Sequence, residues 1–223
     1  MATPLDLQEQ EQLDAIKSFW KTYGTLITWV LVLALGAYAA WNAWNSYQRD
    51  QGYKAGSMYD ELERAAQAGD VTKSTRVFAD LKERYPGTAF AQQGGLALAK
   101  LQFEKGQPDA AQASLSWVAE NGLEEEVRTI ARLRLAGALI QSQKYDEALR
   151  QLDAAKAVGF EALVADRRGD VLAAMGKPEE ARTAYQAAWK VMEEKVEYRR
   201  LIDAKLTALG AAPAASAALA ATP

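Results

Sequence analysis

The chain has 223 residues, of which 26 are Lys or Arg and 29 are Asp or Glu, so its net charge is −3. It contains neither histidine nor cysteine, which excludes disulfides, thiolate metal sites, cysteine nucleophiles and histidine-based catalytic triads. Basic and acidic residues are nearly balanced and the basic ones form no continuous stripe, so nucleic-acid binding lacks the electrostatic attraction on which it depends.

The N-terminal part divides into an acidic arm, residues 1–21, and an uncharged stretch, residues 22–48. A helix needs about 20 apolar residues to cross the hydrocarbon core of a bilayer, and this stretch is longer than that. Trp20 and Tyr47 lie near its two ends, where aromatic rings suit the headgroup region. We therefore predict that residues 22–48 form a single transmembrane anchor, which makes the lipid bilayer a partner of the chain.

A cleavable signal peptide is the main alternative, because residues 37–39 have the small-x-small pattern of a cleavage site. The preceding segment is long and acidic, and the uncharged stretch continues past that site, so we expect the anchor to be retained. Charge does not decide its orientation, since Lys17 and Lys21 on one side balance Arg49 and Lys54 on the other.

Within the anchor, Gly36 and Ala40 form a small-xxx-small pair. Such a pair lets two membrane helices approach closely, so it is a candidate contact with another membrane helix. The alternative is that the pair has no partner, because small residues are frequent in membrane helices generally.

Residues 49–208 show apolar positions three and four residues apart, which predicts an all-α domain. One frame recurs in it: a glycine, a small residue five positions later, and a large residue four positions after that. We interpret each copy as a turn followed by the second helix of a pair, whose small residue allows close helix packing. The copies are Gly69, Ser74 and Phe78; Gly106, Ala111 and Leu115; Ala148 and Leu152, where Gln143 replaces the glycine; and Gly176, Ala181 and Tyr185.

This frame resembles the second half of a tetratricopeptide repeat, and Leu98-Ala99 and Leu135-Ala136 fit the first half. The resemblance implies an α-solenoid of three to four helix pairs in which neighbouring pairs bury each other's apolar faces. A helical bundle without repeats is the alternative. We predict a C-terminal capping helix over residues 190–209, with Val191, Val196, Leu201, Ile202 and Leu206 on its apolar side. Residues 209–223, rich in alanine, are expected to form a flexible tail.

The order of the parts carries a second resemblance. An acidic arm ending in Ile-Lys-Ser-Phe-Trp at residues 16–20, one membrane helix entered at Tyr23-Gly24 and left at Tyr47-Gln48, and a divergent repeat domain are similar to the YfgM family. That family comprises ancillary subunits of the bacterial SecYEG translocon. The resemblance implies an inner-membrane protein with its repeat domain in the periplasm. It also implies two partners, the translocon and the membrane-anchored chaperone PpiD, and secreted proteins as clients.

A stack of helix pairs presents a concave surface formed by the first helix of each pair. An apolar groove of this kind can accept an extended or helical peptide. The alternative for Leu96 and Leu133 is that they belong to the core. The candidate groove residues are Leu96, Lys100, Phe103, Ile130, Leu133, Ile140, Asp166 and Asp170.

We expect no cofactor and no enzymatic activity, because no pair of general acids or bases stands at a telling spacing. The acidic run at residues 124–126 is explained as the first turn of a helix, where carboxylates meet the positive end of the helix dipole. Two functions remain in competition. One is an adaptor for secretion or envelope chaperones, and the other is a membrane-tethered scaffold for a cytoplasmic or other envelope complex. A periplasmic repeat domain favours the first and a cytoplasmic one the second.

Overall fold

A computed structural model describes residues 7–193 and 197–211 of the chain, with side chains from residue 11 onward. Val196 and residues 212–223, and with them most of the predicted flexible tail, lie outside the described residues. The described residues form nine α-helices and no strand. The helices are α1 Leu7–Gln67, α2 Val71–Arg84, α3 Ala89–Glu104, α4 Pro108–Asn121, α5 Glu125–Gln141, α6 Tyr145–Ala154, α7 Glu161–Ala174, α8 Pro178–Val191 and α9 Tyr198–Ala208.

The chain divides into two compact units, Met1–Gln51 and Gly52–Pro223. The described part of the first unit is helical throughout, and its large apolar side chains, such as Leu26, Trp29 and Leu33, are exposed. Among the described residues, α1 is the only helix that is long and apolar enough to cross a membrane. An uncovered apolar surface of this length suits lipid as its surroundings.

The second unit is a stack of four helix pairs. The pairs are α1 from Gly52 with α2, α3 with α4, α5 with α6, and α7 with α8, and α9 follows the last pair. The predicted solenoid is therefore confirmed. The eight small and large residues of the repeat frame are all buried, as close packing between pairs requires: Ser74, Phe78, Ala111, Leu115, Ala148, Leu152, Ala181 and Tyr185.

The turn inside each pair has the same backbone geometry. Gly69, Gly106 and Gly176 have φ values of 72°, 71° and 74°, in the left-handed region. Gln143, which replaces the glycine in the third pair, has a φ of 58°. The turn is thus kept in all four pairs, although the left-handed region is costly for a residue with a Cβ atom.

The fourth pair contains a close approach that only glycine allows. A Cβ atom added at Gly169 on α7 would overlap Cε1 of Tyr185 on α8, and it would lie 2.5 Å from Cδ1 and 2.8 Å from Cζ. Gly169 stands in the first helix of this pair where Ala99 and Ala136 stand in the second and third pairs, seven residues before the turn position. Its missing side chain makes room for the large residue of the second helix.

Arginine side chains join the second and third pairs. Arg132 donates hydrogen bonds to the carbonyl oxygens of Ala119 and Ala154, at 3.2 and 2.7 Å, and to the Glu125 carboxylate at 3.0 Å. These carbonyl groups belong to the last turns of α4 and α6. Carbonyl groups at a helix end lack partners within their own helix. Glu125 lies in the first turn of α5, as expected. Hydrogen bonds from Arg128 are the main reason that the pKa of Glu125 is lowered.

The predicted capping helix over residues 190–209 is wrong in its boundaries. Helix α8 continues to Val191, and the cap is the shorter α9, which begins at Tyr198. The backbone is extended at Met192, and this ends α8. Val191 and Leu201 are 60% and 46% exposed, so they are not part of the buried side, which consists of Ile202 and Leu206.

Candidate partner-binding groove

The first helices of the second, third and fourth pairs border an open cavity of about 590 Å³. Its floor is apolar and consists of Leu96 and Ala99 from α3, Leu115 from α4, and Gly137 and Ala138 from α5. Phe103, which is half-buried, and Gln141 complete the lining beside four charged residues. We name this cavity the α3–α5 groove. Its volume is in the range of sites that accept small ligands or a few side chains.

The groove is open because Ala99, Gly137 and Ala138 on its floor are small. Gly137 lies in the middle of α5 without a side chain, and a Cβ atom there would lie 3.6 Å from Nη1 of Arg167 on α7. The guanidinium group of Arg167 therefore reaches from α7 to α5 at the level of this glycine. A larger residue at position 137 would fill the groove without entering the core.

The rim of the groove carries three cations and one anion, namely Lys100, Arg134, Arg167 and Glu104. The Lys100 side chain is 75% exposed, and its ammonium group lies 3.9 Å from the Glu104 carboxylate. Arg134 is exposed and has no ion pair among the described residues. Arg167 is 3.1 Å from the Asp170 carboxylate. The rim is therefore positive, and Arg134 is its least compensated charge.

Three of the candidate groove residues, Leu96, Lys100 and Phe103, border this cavity. Ile130, which is half-buried, is absent from its lining. Leu133 and Ile140 are also absent from it, and both pack against the core cluster of the third pair. Leu133 thus packs as its core alternative expected, and Leu96 contacts this cluster as well as the cavity.

Asp166 and Asp170, also candidates for the open groove, bind to α9 of their own chain. The Lys205 ammonium group lies 2.8 Å from both carboxylate oxygens of Asp166 and 2.7 Å from Oδ1 of Asp170. The hydroxyl groups of Tyr198 and Tyr185 donate to Asp166 and Asp170 at 2.8 and 2.9 Å. Asp166 is only 1% exposed. The expectation that Asp166 and Asp170 line an open groove is therefore corrected, because both carboxylates already have partners within the chain.

This cluster under α9 raises the pKa of both tyrosines. Burial is the main cause for each. The Asp170 charge adds to it for Tyr185, and the hydrogen bond to Asp166 adds to it for Tyr198. The cluster offers no metal site, since an ammonium group already lies between the two carboxylates. Within residues 7–193 and 197–211, no group of three or more acidic side chains is placed to hold a metal ion.

Comparison with known proteins shows similarities that cover most of the chain. The model of a tetratricopeptide repeat-like domain family matches residues 17–211. An ancillary SecYEG translocon subunit of Neisseria gonorrhoeae is 31% identical over 204 residues, which cover 91% of this chain and 98% of that protein. The protein of the same name from Escherichia coli K12 is 30% identical over 185 residues, covering 82% and 87% of the two chains. The chain belongs to the YfgM family.

One solved structure is similar in fold. It contains the tetratricopeptide-like repeats of a Podospora anserina putative kinesin light chain, with a TM-score of 0.54 and 17% sequence identity, and it covers 70% of this chain and 84% of that one. At this identity the likeness concerns the fold alone. It places the repeat domain of this YfgM-family chain among tetratricopeptide-like solenoids.

Several residues of this YfgM-family chain are important for the groove but were not predicted from its sequence. Arg134 and Arg167 directly follow the candidate positions Leu133 and Asp166, and their long side chains reach the rim from there. Lys205 stands three residues after Ile202 and one before Leu206, both of which are buried. A lysine on the buried side of a helix indicates an acidic partner, and this signal was present in the sequence.

The candidate membrane contact lies in the first unit. Gly36 and Ala40 are both exposed, and a Cβ atom at Gly36 would meet nothing within 4 Å. The surface that Gly36 and Ala40 form on this YfgM-family anchor is therefore not covered by any described residue. Its role in packing against another membrane helix stays a prediction.

Proposed function

We propose that this chain is a membrane-anchored, non-enzymatic adaptor that associates with the SecYEG translocon in the bacterial inner membrane. It assists secreted proteins by protein–protein contacts, and a PpiD-like periplasmic chaperone is its second partner. The match to an ancillary translocon subunit over 91% of the chain carries the proposal, because it includes the anchor as well as the repeats. The exposed apolar surface of α1 supports the membrane location.

We further propose that α1 crosses the membrane once and that the repeat domain lies in the periplasm. The absence of cysteine makes this simple to test, because a single introduced thiol reports on its own position. Gln12→Cys marks the arm and Ala113→Cys marks an exposed position of the repeat domain. In intact spheroplasts, a membrane-impermeant maleimide should label Ala113→Cys and leave Gln12→Cys unlabelled until the membrane is permeabilised. The opposite pattern would refute the adaptor reading and support a scaffold for a cytoplasmic complex.

The α3–α5 groove is the proposed contact surface, because it combines an apolar floor with charged residues around it. A photoreactive amino acid at Phe103 should crosslink in cells to translocon subunits, the periplasmic chaperone or secreted proteins. The matched control is the same amino acid at Ala113 on α4, which is exposed and does not border the groove. Identical adducts from both positions, or adducts to cytoplasmic proteins alone, would contradict the proposal.

A further inference from the structure

We infer that the α3–α5 groove selects acidic peptide segments in which Asp or Glu flanks large apolar side chains. This inference rests on the proposed function and deepens it, because it states the chemistry of the segment that the adaptor binds. It depends on three features of the groove: its apolar floor, its cationic rim, and the internal neutralisation of the nearby acidic residues.

The floor determines the apolar part of the ligand. Leu96, Leu115 and the half-buried Phe103 surround space left by Ala99 and Gly137. A cavity of about 590 Å³ is large enough for two or three apolar side chains of a peptide. Burial of these side chains would supply most of the binding free energy, since apolar burial is the main favourable term in association.

The rim determines the charge of the ligand. Lys100, Arg134 and Arg167 surround the floor, and Glu104 is the single acidic residue among them. Lys100 and Glu104 are both largely exposed and are 3.9 Å apart, so they pair weakly. Arg134 has no ion pair among the described residues. A carboxylate of a bound peptide would provide that missing partner, and Arg can bind it through two parallel hydrogen bonds.

The two α7 carboxylates beside the rim offset only one of its three cations, Arg167. Asp166 and Asp170 both accept hydrogen bonds from Lys205, and Asp170 is also paired with Arg167. The positively charged Lys205 thus compensates one of the two carboxylates, and Arg167 compensates the other. What remains for a ligand is the charge of Lys100 and Arg134, with Glu104 as the only opposing group. A basic segment would meet these cations and be repelled.

The preference is tested with two fluorescent peptides of equal length, whose Leu and Phe positions are identical. One carries Asp and Glu between them, and the other carries Lys at the same positions. Binding is measured by fluorescence anisotropy to the full-length protein in detergent micelles at low and moderate salt. The acidic peptide should bind at least about fivefold more tightly, and added salt should reduce this difference.

Two variants locate the effect. Arg134→Glu should weaken binding of the acidic peptide about five- to tenfold and strengthen that of the basic peptide. Arg150→Glu is the matched control. It makes the same change in net charge at an exposed position of α6 outside the groove, and it should leave both affinities unchanged. Gly137→Leu, which fills the floor, should abolish binding of the acidic peptide.

The outcomes separate this inference from the proposed function. Selective binding of the acidic peptide that Arg134→Glu reverses supports the charge preference. Equal binding of both peptides, still blocked by Gly137→Leu, overturns the charge preference and leaves the groove as a contact surface. Binding of neither peptide also overturns it. In that case the Phe103 crosslinks decide the proposed function independently, because they need no assumption about the charge of the ligand.

Discussion

Replacing Gly169 with alanine would test whether the fourth helix pair depends on the close approach of α7 and α8. The added Cβ atom would overlap Cε1 of Tyr185 and lie 2.5 Å from Cδ1. Rotation of the ring about its own axis does not remove the overlap, because Cζ lies on that axis, 2.8 Å from the added atom. Swinging the whole ring away would break the hydrogen bond that its hydroxyl group donates to Asp170 at 2.9 Å. Either the two helices separate or this hydrogen bond breaks.

The expected magnitude follows from three contributions. Overpacking a core of this kind costs about 1–3 kcal/mol, and a lost hydrogen bond costs about 1 kcal/mol more where the ring moves instead. Alanine within a helix gains about 0.5–1 kcal/mol over glycine. Gly169→Ala should therefore lower the free energy of unfolding by about 0–2.5 kcal/mol where the helices separate, and by about 1–3.5 kcal/mol where the hydrogen bond breaks.

Gly137→Ala on α5 is the matched control, because its Cβ atom would lie 3.6 Å from Arg167, an ordinary van der Waals contact. Here only the helix propensity changes, so stability should rise by about 0.5–1 kcal/mol. Both variants are compared by urea unfolding of the full chain in detergent micelles, monitored by far-ultraviolet circular dichroism. The slope of the unfolding free energy against urea concentration should stay unchanged. If both midpoints moved in the same direction, the reasoning from Cβ distances would be refuted.

Three further predictions concern the turn, the cluster under α9 and the link between pairs. Gln143→Gly should raise the urea midpoint. Glycine removes the strain of the positive φ, worth about 1–2 kcal/mol, and this gain exceeds the stability lost to the greater conformational freedom of the unfolded chain, about 0.4–1 kcal/mol. A lower midpoint would contradict this prediction. The raised pKa of Tyr185 means that the unfolded phenol ionises first, so stability should fall as pH rises above 10.0. Tyr185→Phe should make this fall shallower in unfolding measured from pH 9 to 11, and an unchanged slope would exclude the tyrosine as its source. Arg132→Ala removes hydrogen bonds to two helix ends and should cost about 1–3 kcal/mol in the same urea assay, whereas an unchanged midpoint would show that water replaces them.

Much of the fold was predictable because its signals are local. Residues 22–48 lack charge over a length that fits a membrane, and α1 exposes the apolar side chains of this stretch. The repeat frame places a small and a large residue one helical turn apart, and the core needs both at these positions. Even the third turn, which lacks glycine, was found from its neighbours, since Ala148 and Leu152 keep the frame.

The groove was harder to predict because it depends on side-chain direction and on distant contacts. The frame gave the face of each helix, but it did not show that Arg134 and Arg167 reach the rim from the adjacent position. The burial of Asp166 depends on Lys205, 39 residues away, and no local pattern contains that contact. The end of α8 at Val191 was missed because the apolar spacing continues through it into the next helix.

The position of α9 also limits what the groove can hold. Helix α9 covers the carboxylates of α7, so the fourth pair has no free acidic side chain for a ligand at these positions. The α3–α5 groove around Lys100, Phe103 and Gly137 stays open. A partner that reached the Asp166 carboxylate would have to displace α9 and leave this group buried without its cation, which is strongly unfavourable. The proposed ligand of the groove is therefore a short segment that inserts a few side chains, rather than a chain that also contacts the α7 carboxylates.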